Sequence, residues 1–374
     1  MKKKMKKYIF LFSILTLFVV ILSGCEFDLK NKCDHSYIEK TIGGGCDLNA
    51  IIITTCDNCD YFEKRDVSAS GHSYSLTESV QPQEGESLGY EIHTCSVCGK
   101  QERSNCTWLE NGALTEYTVY QSVEELANEC ERQIYNGRDV FFYNGEAKNI
   151  LLEFVSSKGA VDGYAFSFPE TVQNLFINGS DEFTSEVWHK DVSFYIAERS
   201  TEINVKMQNL LIESSKYTIF YSAASVPITL EFYGETNRFV LPSRETDGAD
   251  SKEGMGGFGQ HGSAAFSIPN GVTIHCHSDL YIKGQDGGNG GRGGMNNTHF
   301  GSPIIEGKRG GDGGDGGDAI LSNTLPKIKV YGTAQVVLEG GVGGIGGTGG
   351  SGTFSDGENG RDGQNGSSSY ESIQ

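Results

Sequence analysis

Val272-Thr273-Ile274-His275-Cys276-His277-Ser278-Asp279-Leu280-Tyr281-Ile282-Lys283-Gly284 is the stretch that decides how this chain folds. Its Val272, Ile274, Cys276, Leu280, Ile282 and Gly284 are matched 56 residues later by Ile328, Val330, Gly332, Val336, Leu338 and Gly340. Apolar residues at every second position read as strands with one inward face. Each unit is two short strands around a polar turn, His277-Ser278-Asp279 and then Thr333-Ala334-Gln335. A glycine tract follows each unit (Gly284–Gly294, Gly340–Gly352), and a third, Gly310–Gly317, precedes Ala319-Ile320 and closes the unit between them. Such a repeat implies turns of chain stacked on one another, with glycine-rich loops thrown out on one side. The alternation sets Cys276 inward, on the partner position of Gly332, and both flanking histidines outward. His275-Cys276-His277 therefore reads as strand rather than as a metal cluster.

Within the tracts the period is three, as in Gly313-Gly314-Asp315-Gly316-Gly317-Asp318. Three residues per turn is polyproline-II geometry, in which glycine lets neighbouring chains approach and bond. The seven prolines fall outside the tracts, so collagen is excluded. The tracts resemble the packed polyglycine-II bundles of phage tail-fibre adhesins and some antifreeze proteins; the competing reading is a set of flexible linkers. Gly313–Ile320 also fits one copy of a calcium-binding nonapeptide. Asp312, Asp315 and Asp318 are then minor calcium candidates, with solvated loop carboxylates as the main reading.

Upstream, short β-branched and aromatic runs recur without helices between them: Asn174–Ile177, Val192–Ile196, Ile203–Met207, Leu210–Ile212, Ile228–Phe232 and Phe239–Val240. Phe166-Ser167-Phe168-Pro169 reappears as Phe266-Ser267-Ile268-Pro269. Before them, Ser122-Val123-Glu124-Glu125 is a capping box, with Val123, Leu126, Cys130 and Ile134 near one helical face. A strand, a capped helix and a strand opening a β-rich region resemble the N-terminal cap of right-handed β-helices of the pectate-lyase type. That resemblance implies a mainly β chain with a right-handed parallel β-helix; a β-sandwich is the alternative for 115–250.

At the other end, Met1–Lys7 is lysine-rich and Tyr8–Leu22 is apolar but short for a membrane span. Leu22-Ser23-Gly24-Cys25 resembles the lipobox of bacterial lipoproteins. The resemblance implies cleavage before Cys25 and a diacylglycerol or fatty acyl (palmitate-type) group on its thiol. The mature chain would be lipid-anchored at the extracytoplasmic face of the cell membrane, or in the outer membrane of a Gram-negative source. An ordinary signal peptide or an uncleaved anchor is the alternative.

Seven of the ten cysteines lie in Cys33–Cys106. Thr55-Cys56-Asp57-Asn58-Cys59 recurs as Thr94-Cys95-Ser96-Val97-Cys98, and His35-Ser36-Tyr37 as His72-Ser73-Tyr74. This tandem repeat resembles small zinc-ribbon-like modules of bacterial surface proteins, with TCxxCG knuckles and GHxY ends. Two residues between cysteines let both thiolates face one ion. One site is read as Cys46, Cys56, Cys59 and His72. A second, less complete, is Cys95, Cys98 and Cys106 with Cys33, His35 or His93. Both look structural rather than catalytic. Disulfides, expected in an oxidising compartment, and a redox-active CxxC stay open as alternatives.

The domains are then 1–24 signal peptide, 25–32 anchored linker, 33–108 zinc-ribbon-like module, 115–250 β-helix with its capping helix, 251–352 glycine-rich turns and 353–374 a flexible polar tail. Once the five lysines of 1–24 are set aside, 25 basic residues face 49 acidic ones, which disfavours nucleic acid as a partner. No P-loop or dinucleotide fingerprint with its strand and helix occurs. The acids of 180–250 (Asp181, Glu182, Glu186, Asp191, Glu198, Glu202) show no spacing that selects a catalytic pair. The expected role is non-catalytic binding or adhesion to a glycan or another surface; a polysaccharide lyase or hydrolase and a purely structural protein are the alternatives.

Overall fold

The computed structural model describes residues 34–135, 137–154, 162–179, 188–215, 217–243, 247–297, 305–353 and 355–373. The lipobox, Cys25 and Cys33 lie outside them. The chain forms two compact units, one of Met1–Ser75 with Thr94–Lys100, the other of Leu76–His93 with Gln101–Gln374. Both are built from β-structure.

In the first unit, Tyr37–Gly43, Ala50–Cys56 and Cys59–Val67 form an antiparallel sheet in that order. Cys56 and Cys59 face each other across the tight turn that joins the last two strands.

The second unit contains three sheets whose strands run almost entirely parallel. Successive circuits of chain visit them in a fixed order. Ser193–Ile196, Asn204–Gln208 and Leu211–Glu213 make one circuit; Phe220–Ser222, Ile228–Tyr233 and Thr236–Val240 make the next. Phe266–Ser267, Val272–Cys276 and Asp279–Lys283 follow, then Ile320–Leu321, Lys327–Val330 and Val336–Glu339. Parallel neighbours replace the sandwich alternative, which needs antiparallel sheets. Fixed register stacks like residues into columns. Phe166, Phe194, Phe220, Phe266 and Ile320 are in line on the first sheet. Ile150, Leu175, Val205, Leu230, Ile274 and Ile328 are in line on the second. All belong to one buried core, where each large side chain contributes roughly 1.5–3 kcal/mol. Outside it, Asn149, Asn174 and Asn204 form an amide ladder.

The 56-residue repeat holds on the third sheet, where Leu280 pairs with Val336 and Ile282 with Leu338. On the second sheet it slips by two: Ile274 pairs with Ile328 and Cys276 with Val330, not Gly332. The later turn is longer by that amount, and Gly332 supplies its positive φ of 63°. Cys276 is buried inward as expected.

The helix is shorter than the sequence implies. It spans Val123–Asn128, capped by Ser122 Oγ accepting from Glu125 N, with Val123 and Leu126 buried at the end of the core. Cys130 and Ile134 instead belong to the strand Cys130–Tyr135, which pairs antiparallel with Arg138–Tyr143, and Ile134 is exposed.

The hairpin Gln101–Glu110/Ala113–Glu116 also departs from expectation. Cys106, Trp108 and Tyr117 are buried with Leu151, Phe176 and Tyr233. The Cys/His module therefore does not extend to residue 108: apolar side chains from 101 onward belong with the second unit.

The glycine tracts are hydrogen-bonded, not free. Gly313 N–H donates to Arg361 O and Gly314 N–H to Gly288 O, both at 2.8 Å. Gly344 N–H donates to Gly314 O, and Gly363 N–H to Gly344 O. A Cβ on Gly314 would lie 2.0 Å from Gln260 O, and one on Gly344 2.0 Å from Gly288 O. Residues 248–262, which fold back so that Gly257 N–H donates to Ala249 O, and residues 357–366 join the three tracts. The second of these lies in the stretch expected as a flexible tail. Its glycines recur every third residue, so its backbone fits against the bundle, and Glu371–Ser372 then pairs with Lys327–Ile328.

Candidate functional site

Cys46, His72, Cys95 and Cys98 bring their ligand atoms within 4.8 Å of one another and can hold a metal ion. Cys46 Sγ lies 3.7 Å from Cys95 Sγ, and His72 Nδ1 3.3 Å from Cys98 Sγ. Tetrahedral zinc places sulfurs about 3.7 Å apart and sulfur and nitrogen about 3.5 Å apart, so the donors fit such an ion. No described cysteine is in a disulfide. The knuckle itself favours thiolate. Backbone N–H groups of Cys98 and Val97, with the His72 ring, hold the Cys95 thiol down to about 5, against burial. Burial and the neighbouring Cys98 and Cys95 thiols push Cys46 up to about 12. Contact with Cys95, then with Asp47 and Cys98, raises His72 to about 9. Asp47 Oδ1 is 2.7 Å from His72 Nε2; a carboxylate there fixes the ring with Nδ1 toward the sulfurs.

This is not the grouping read from the sequence. Cys56 and Cys59 are not with Cys46 and His72; they meet His35. Cys95 and Cys98 take Cys46 and His72 in place of Cys106, which is buried in the second unit. His93 bonds Glu91 at 3.3 Å. The reason is that each histidine leads its knuckle rather than trailing it. Ser36 O accepts Asp57 N–H at 3.1 Å, and Ser73 O accepts Ser96 N–H at 3.0 Å, so each His-Ser-Tyr backs the CxxC that follows. The signal was in the sequence: His-Ser-Tyr precedes TCxxC in both copies.

The second unit carries a groove of about 640 Å³ on the outer face of the first sheet, lined by Tyr135, Phe142, Tyr195, Tyr217 and Tyr221 among others. Ser167, Tyr195 and Tyr221 are in register on adjacent strands, and the two tyrosine rings are 6.0 Å apart. Tyr217 is backed by the Arg138 guanidinium at 4.1 Å, itself held by Ser193 Oγ at 2.8 Å. The sequence reading missed this site because its residues come from separate strands; the signal was an aromatic at matching outward positions of consecutive circuits.

On the second sheet Lys206, almost fully buried, bonds Glu231 Oε1 at 2.7 Å and Glu110 Oε2 at 3.1 Å. Trp108 and Tyr233 rings cover it, and Tyr233 Oη donates to Glu231. His277 is stacked between Tyr233 and Tyr331, and His275 Nδ1 meets Tyr331 Oη at 2.8 Å. The Lys206 contacts with Glu110 and Trp108 tie the hairpin to the sheet. Asp312, Asp315 and Asp318 each accept a backbone N–H, from Arg361, Gln364 and Ser367. They are in neither metal-capable cluster among the described residues. Among those residues no helix is long and apolar enough to cross a membrane.

No protein-family model, curated protein or solved structure matches the chain.

Proposed function

We propose that this chain is an extracytoplasmic lipoprotein, acylated on Cys25, that binds neutral glycans through the tyrosine groove without catalysing a reaction. A right-handed parallel β-helix with polyglycine-II-like loops supplies a rigid face. Zinc held by Cys46, His72, Cys95 and Cys98 staples the small first unit, whose apolar residues are few. With four protein donors the ion has no open position, so its contribution is folding energy.

The groove carries the reading. Tyrosine presents a flat apolar ring with a polar tip, which suits a sugar's C–H face and its hydroxyl rim, and a concave aromatic cavity is the usual form of a ligand site. The acidic excess of the chain repels polyanions and favours an uncharged saccharide.

The test is a glycan-array screen of the chain from residue 26 onward, beside the variant Tyr195→Ala/Tyr221→Ala, with a reducing-end assay on every sugar bound. Binding that the variant loses, with no new reducing ends, supports the reading. Release of new ends would make the chain a polysaccharide-active enzyme, and binding to no sugar would leave it a structural protein.

A further inference from the structure

The first knuckle carries a donor set that the four-ligand centre does not use. Cys56 Sγ, Cys59 Sγ and His35 Nδ1 lie within 4.8 Å of one another, and His35 Nδ1 is 3.5 Å from Cys59 Sγ. That is the nitrogen–sulfur edge of a zinc tetrahedron, about 3.5 Å.

The local build repeats that of the other knuckle. Asn58 N–H donates to Cys56 Sγ at 3.4 Å, as Val97 N–H does to Cys95 Sγ at 3.4 Å. The His35 ring is stacked on Tyr37 at 5.1 Å and meets the edge of Tyr61 at 5.9 Å, two contacts that hold it beside the sulfurs. Cys56 is buried and Cys59 half-buried, and neither is in a disulfide.

We infer that His35, Cys56 and Cys59 form a second, independent site for a thiophilic divalent cation of the zinc class, so that each chain carries two ions. Binding expels the thiol protons and leaves one neutral imidazole nitrogen and two thiolates on the metal. The site shares no ligand with the four-ligand centre, so either can fail without the other.

The experiment measures zinc per chain by elemental analysis of full-length protein, purified with a non-thiol reductant and equilibrated in buffered Zn²⁺. Wild type, Cys59→Ser, His35→Gln and Cys98→Ser are compared, and Co²⁺ charge-transfer absorption reports thiolate bonds. The expected result is two ions in wild type and one each in Cys59→Ser and Cys98→Ser. His35→Gln keeps both thiols and guards against misfolding; one of its two ions should bind about tenfold or more weakly. One ion in wild type, kept by Cys59→Ser and His35→Gln but lost in Cys98→Ser, would overturn the second site and leave the first intact. One ion kept by Cys98→Ser and lost in Cys59→Ser would establish this site and overturn the four-ligand centre. No ion in any form would overturn both.

Discussion

The Asp312 carboxylate accepts the backbone N–H of Arg361 at 2.7 Å, across 49 residues of sequence. Asp315 does the same for Gln364 and Asp318 for Ser367, while Asp286 and Asn289 serve Val342 and Ile345. Some amides of the glycine triplets bond neighbouring backbone, and Asp or Asn side chains of adjacent runs take others. Asp315→Ala should therefore cost about 1 kcal/mol, the usual net worth of one hydrogen bond. Among the described residues no such bond is seen for the Thr348 side chain, and Thr348→Ala should stay within about 0.5 kcal/mol. Denaturant midpoints of the two variants check the difference; equal midpoints would mean the Asp315 side-chain bond carries no energy.

Gly314 and Gly344 have backbone oxygens where a side chain would begin. Valine at either position must push two runs apart, and a loss of about 1–3 kcal/mol or more is expected, as for an overpacked core. Limited proteolysis gives a second readout: the parent tracts should resist cleavage and the valine variants should be cut there.

His189 is buried against Phe154, and burial lowers its pKa from 6.5 to about 4. An unfolded chain binds a proton near 6.5 that the folded chain refuses until about 4. The stability from neutral His189 is therefore complete above pH 6.5 and lost as pH falls toward 4, by up to about 3 kcal/mol. Melting temperatures between pH 8 and 4 should show that limb. His189→Leu, uncharged throughout, should flatten it; an unchanged slope would assign the acid loss to other groups.

Lys206 should behave as a clamp. Lys206→Met leaves Glu231 buried without its cation and is expected to cost about 3–5 kcal/mol. Adding Glu231→Leu should recover a large part of that loss, which a double-mutant cycle in denaturant reads directly. Strict additivity would mean that the two groups do not interact.

Much of the second unit was legible because burial enforces a period of two, and stacked circuits repeat it at Val272, Ile274, Leu280 and Ile282. Packed glycine runs were legible from their phase of three. What escaped depends on contacts between distant segments. Trp108 and Cys106 look like part of the cysteine module until Phe176 and Tyr233 are seen to bury them. Cys130 and Ile134 fit a helical period, yet the strand Arg138–Tyr143 recruits them as its partner. CxxC spacing marked both knuckles, but spacing does not say which histidine reaches which pair; Ser36 and Ser73, through their carbonyls, decide that. Tyr195 and Tyr221 gave no local pattern at all, because a groove is a property of neighbouring circuits.

The most direct test of the account is a hydrogen-exchange footprint of the chain from residue 26 onward, with and without the neutral oligosaccharide that binds best on the array. The account predicts added protection in residues 193–197 and 217–223, around Tyr195, Tyr217 and Tyr221, and none in the glycine runs. Protection confined to the glycine runs, with the tyrosine strands unchanged, would contradict it.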